Sequence, residues 1–192
     1  MSLSFFSSTI MGEFSYPEQS VNKFKWLYPQ INLFWQKSFG FELYSALHQD
    51  DKYNLDGLND IINNEHDLDR AMQSLTKVMI GAINEKDINQ LIQNGDKIIG
   101  GINRLERFLE KQTIIESAIA LSLIKQLRDI QTFRSQSTAH NKGSNYDKLV
   151  TEDPKIKSNP QEVFREILNN LNSIFIKILS PNADTQQSHT EV

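Results

Sequence analysis

Residues 113–134, TIIESAIALSLIKQLRDIQTFR, carry the most apolar helical pattern in the chain, and their spacing decides the fold class. Ala120, Leu123, Leu127 and Ile130 recur at steps of three and four, which places them on one face of a helix. Arg134 is the next position on that face. Upstream, Leu68, Met72, Leu75, Met79 and Ala82 form a second stripe, predicting a helix over 66–83. Asp67 and Asp69 stand in its first turn, where the positive helix end favours carboxylates. A shorter helix around Ile88, Leu91 and Ile92 closes at Asn94-Gly95, a C-terminal cap signal. Ile98, Ile102, Leu105 and Phe108 predict another over 96–111, in which Gly100 and Gly101 lower helix propensity and permit close helix contact. Downstream, Asn159 is placed as N-cap, Pro160 at the first helical position and Glu162 three residues after the cap. The helix they start buries Val163, Phe164, Ile167, Leu168, Leu171, Ile174, Phe175 and Ile178. Strand-like alternation is almost missing. The expected fold is all-α, an antiparallel helical bundle over residues 65–180.

Residues 1–64 read as an aromatic-rich N-terminal helical extension followed by a loop. Phe24, Trp26, Leu27, Tyr28, Ile31, Phe34, Trp35, Phe39 and Phe41 crowd one region. Pro29 lacks an N–H and clashes with the preceding turn. Two short helices, broken at Pro29 and near Gly40, are therefore expected, packing on the bundle or forming a small subdomain. The polar run 49–64 reads as a loop with a helical turn. Its Asp and Asn residues do not meet the calcium-loop spacing with a closing Glu. Residues 181–192 read as a disordered tail.

The 192 residues suffice for one core, and 39% hydrophobic content is that of a globular protein. No apolar run approaches the roughly 18 residues of a membrane span, and no charged start leads into an apolar signal segment. Cysteine is absent, which removes disulfides and thiolate chemistry and fits a cytoplasmic location. A net charge of −4 argues against extended phosphate contacts with duplex nucleic acid, so any such contact has to be local. Residues 121–150 offer a place for it. Lys125, Arg128, Arg134, Lys142 and Lys148 outnumber Asp129 and Asp147 by three.

Within that stretch Arg134 ends the apolar stripe, and His140 follows after five intervening residues. A guanidinium holds a phosphate through two hydrogen bonds. An imidazole titrates near neutrality and moves a proton to or from a ribose hydroxyl. Together they suffice in principle for RNA cleavage without a metal, Arg134 stabilising the phosphorane charge. The same residues have plainer readings: Arg134 capping helix-end carbonyls or pairing with Asp129 or Asp147, and His140 capping a loop. His48, His66 and His189 share no metal-ligand spacing, and no metal site is expected. Gly95, Gly100 and Gly101 make no phosphate loop, since no G-K-[ST] follows them.

The stretch LRDIQTFRSQSTAHNKGSNYDKL, with Arg134-Ser135 and Ala139-His140 followed by Lys142-Gly143-Ser144-Asn145-Tyr146, resembles the R-x(4–6)-H segment of the HEPN domain family, as found in uncharacterised bacterial proteins. The resemblance is specific over about residues 115–150. It makes Arg134 and His140 the catalytic pair and Ser135 the polar residue after the Arg. Tyr146 becomes a supporting residue, and Asp129 or Glu116 the family's acidic residue. Lys142 and Lys148 are the expected phosphate contacts. Asn141 stands where a basic residue is expected. The resemblance implies a homodimer acting without cofactor as a metal-independent endoribonuclease of toxin or phage-defence type, with an RNA substrate and a protein antitoxin as partners, away from membranes. It implies as the alternative a non-catalytic interaction or dimerisation module for a protein, nucleotide or RNA partner.

Overall fold

The computed structural model describes residues 19–45, 54–58, 61–92, 99–137 and 144–180. Among them the fold is all-α. The helices are α1 (Gln19–Phe39), α2 (Glu65–Thr76), α3 (Glu85–Ile92), α4 (Gly101–Lys111), α5 (Ser117–Ser137), α6 (Ser144–Glu152), α7 (Lys155–Ser158) and α8 (Pro160–Leu179). A π-helical turn, Lys77–Gly81, extends α2. The strand-like element among these residues is a single antiparallel bridge between Tyr44 and Ile83.

α5 packs against α2, α4, α6 and α8. Its buried side is the stripe read from the sequence, with Ile124, Phe133 and Ser137 added. α2 buries Leu68, Ala71, Met72 and Leu75 and starts on Asn64, whose side chain accepts from the His66 and Asp67 amides at 2.9 and 3.1 Å. α8 begins as its sequence dictates. Asn159 Oδ1 accepts from the Glu162 amide at 3.3 Å, and Pro160 occupies the first turn, where its missing donor costs nothing.

α1 is one helix and not two. It passes through Pro29, which faces solvent. A proline inside a helix costs about 3 kcal/mol. Holding the helix together buries Phe24, Leu27, Tyr28, Ile31 and Trp35, each contributing about 1.5–3 kcal/mol, so continuity wins. On the solvent side, water can take the carbonyl that the proline leaves without a donor. The helix ends before Gly40, which adopts φ 84°, a conformation suited to glycine.

The aromatic N-terminal region packs on the bundle. α1 lies along α8, with Phe24 stacked on Phe175 at a centroid distance of 6.0 Å. Asn172 Nδ2 donates to the Ser20 carbonyl at 2.9 Å, and Ser20 Oγ donates to Asn169 Oδ1 at 2.7 Å. Tyr28 Oη donates to Val78 O in the π-helical turn at 3.1 Å, and its ring stacks on Tyr44. The segment after α1 is fixed by Asn32, whose amide bonds both the N–H and the carbonyl of Tyr44. α4 begins at Gly101, later than expected, while Asn94, Gly95 and Ile98 lie outside the described residues. A Cβ at Gly101 would stand 3.0 Å from Glu85 Oε1 and 3.3 Å from Ile83 Cβ, which is the close approach that the glycine pair suggested.

The α1–α8 seam gives a direct test. Phe24→Ala should lower unfolding free energy by about 3–5 kcal/mol, read by urea titration as one cooperative transition. If α1 were a detachable arm, the main transition would keep the wild-type midpoint.

Candidate functional site

The candidate site lies where α5 gives way to α6. Arg134 falls between Leu127 and Ile130 around the α5 axis, in the middle of the buried face, yet it is exposed. The last turn of α5 therefore presents a guanidinium where a core side chain would otherwise be. Ser135 is also exposed, and its hydroxyl donates to Thr132 O at 2.8 Å. Ser137, one turn after Phe133, is buried. His140, Asn141 and Lys142 lie outside the described residues.

Tyr146, in the first turn of α6, is 3% exposed. Its hydroxyl donates to the Glu65 carboxylate at the start of α2, and Lys157 Nζ stands 6.0 Å from its ring centroid. Burial, the Glu65 hydrogen bond and the charges of Glu65, Asp69 and Asp147 all push the phenol well above its usual 10.0. A neutral tyrosine thus ties the start of α6 to the start of α2, among carboxylates. Neither Glu65 nor this pairing was apparent in the sequence. The cluster of acids at 65–69 reads as helix-dipole compensation, and Asp67 also accepts from the Asn63 amide at 3.1 Å and pairs with Arg70 at 2.7 Å.

The remaining sequence candidates separate. Asp129 lies about 140° around α5 from Arg134. It lines a cleft of about 370 Å³ with Glu152, Asp153 and Glu166 on its rim. Glu116 precedes α5 and stands about 27 Å along the axis from Arg134, in a different cleft with Ile119, Ile174 and Lys177. That distance removes Glu116 from any phosphate held at Arg134. Arg128 is engaged by Glu106 and by Asn103 Oδ1, the latter at 3.3 Å. Lys148 is exposed on α6. The local excess of positive charge in the sequence is therefore spread over several faces. Among the described residues no group of His, Asp and Glu has the arrangement of a metal site. No helix among the described residues is long and apolar enough to cross a membrane.

The Tyr146 environment has a pH consequence. A phenol whose folded pKa is raised stabilises the fold fully below the unfolded value, and that contribution is lost as pH rises toward the folded one. Tyr28 and Tyr44, raised by burial, act in the same direction. Stability should therefore fall above about pH 10, each such tyrosine adding about 1.4 kcal/mol per pH unit to the slope. Tyr146→Phe should make the alkaline slope shallower by that amount in urea titrations. An unchanged slope would show that the Tyr146 proton is not held by the fold.

No family model, no curated protein and no solved structure matches the chain.

Proposed function

We propose that the chain is a HEPN-like domain that cleaves RNA without a metal, using Arg134 and His140. The observation that carries this reading is Arg134 itself, an exposed guanidinium set by helical register into the buried face of the central helix at its last turn. Arg134 would hold the scissile phosphate and stabilise the charge that builds on it. His140 would take the proton from the ribose 2′-hydroxyl or return one to the leaving oxygen. Toxin or phage-defence action, an antitoxin partner and a homodimer belong to the same proposal through the family resemblance.

The carboxylates of Glu65, Asp69 and Asp147 around Tyr146 favour a second reading, a non-catalytic HEPN-like module that binds a protein, nucleotide or RNA partner. Fixed negative charge at the start of α6 opposes a polyanionic backbone there.

Single-turnover cleavage of a labelled RNA separates the two readings. His140→Ala should lower the rate by about 10²–10⁴-fold, the range of a lost general acid or base. Arg134→Ala should cost at least as much. Arg134 is exposed, so its variant should remain folded, and EDTA should leave the wild-type rate unchanged. Cleavage that survives both substitutions overturns the catalytic assignment. A wild-type protein that cuts no RNA leaves the binding module.

A further inference from the structure

The outward side of α1 carries a pattern that the core does not use. Lys23, Trp26, Gln30, Leu33 and Lys37 follow steps of three and four, so they share one stripe. Trp26 is 62% exposed and Leu33 53%, whereas Trp35, the second of two tryptophans, is fully buried. Tryptophan is strongly buried on average, so an exposed one between lysines stands out. α1 contains three lysines and no Asp or Glu, in a chain with net charge −4. Lys25 turns away from the stripe, its Nζ donating to Asp56 O at 3.3 Å. Lys23 and Lys37 form no ion pair among the described residues.

We propose that this face of α1 binds single-stranded nucleic acid, with Trp26 stacking on a base and Lys23 and Lys37 contacting phosphates. An indole stacks on any base, and lysines on either side follow the backbone. The two lysines are about 21 Å apart along the axis, the length of a short extended strand. The stripe suits other occupants less well. A helix lying in a membrane surface needs a broad apolar face, but here the broad apolar face is already in the core and Gln30 separates Trp26 from Leu33. A protein partner would commonly meet charges of both signs, whereas α1 offers only positive charge. The proposal adds a substrate-holding surface outside the Arg134 end of α5 and does not depend on cleavage.

The test uses the full chain and a short 2′-O-methyl oligoadenylate, which has no free 2′-hydroxyl and cannot be cut by the proposed chemistry. Its outcome is therefore independent of His140. Because Trp35 is buried, fluorescence quenching by the oligonucleotide reads Trp26. Saturable quenching is expected. Trp26→Ala should raise Kd by about 5–150-fold, measured by anisotropy of labelled oligonucleotide, and Trp26→Phe should keep most of the affinity. Lys23→Gln with Lys37→Gln should reduce the slope of log K against log salt by about 1.4. Absence of quenching, or equal affinity for wild type and Trp26→Ala, overturns the proposal. So does a Trp26 blue shift with phosphatidylserine vesicles and none with the oligonucleotide, which would assign the face to lipid.

Discussion

Burial of one face of α5 is the constraint from which the rest of the arrangement follows. Four other helices, α2, α4, α6 and α8, reach it, and its stripe runs from Ala120 to Ser137 without a charged residue except Arg134. Each partner presents its own apolar stripe, so their positions are fixed around a common axis. Three of these partners are short; α2, α4 and α6 have 12, 11 and 9 residues. Helices of that length are marginal in water alone, so they are helical because they are packed. Around α5 the register is therefore a tertiary property, and Arg134 inherits its placement from the core.

Polar groups inside this core mark where the chain is held to one arrangement. Tyr28 reaches the carbonyl of Val78 in a π-helical turn, and Asn32 clamps both backbone groups of Tyr44. Asn172 and Ser20 join residues 152 positions apart. A buried donor without an acceptor costs about 1–3 kcal/mol, so the Asn172–Ser20 bond disfavours slipped packings of α1 on α8, and the Tyr28–Val78 bond disfavours slipped packings of α1 on the π-helical turn. The π-helical turn belongs to the same logic. It widens α2 near Val78, where α1 brings its tyrosine, and then hands the chain to the Tyr44–Ile83 bridge.

Local signals in the sequence account for what was legible. Asn159-Pro160 with Glu162 started α8, and the apolar periods of 66–83 and 113–134 marked α2 and α5, because caps and stripes act within a turn or two. The Pro29 expectation failed for the opposite reason. A local penalty of about 3 kcal/mol was outweighed by contacts with α8, more than a hundred residues away. Of the site, Arg134 was visible because it interrupts a period. Glu65 was not, since its partner Tyr146 lies 81 positions downstream and a carboxylate in a first turn already has a sufficient local role. Glu116, offered by the family resemblance as its acidic residue, lies about 27 Å along the axis from Arg134, a separation that a motif does not encode.

Many cations of this acidic chain are already paired, Lys155 with Glu166 among them. Arg70, Arg104, Arg107, Arg128 and Arg165 each meet a carboxylate within the fold. Partly exposed pairs of this kind add only about 0–1 kcal/mol each, so they explain little of the stability. Their effect is to cancel charge locally, which leaves such arginines poor phosphate ligands even where the sequence counts them as a basic patch. Lys23 and Lys37 stand on a helix without a carboxylate and form no ion pair among the described residues, so their field is not cancelled there. Counting charges along residues 121–150 therefore overstates the positive potential there and overlooks α1. The potential a phosphate meets depends on which cations the fold has already paired.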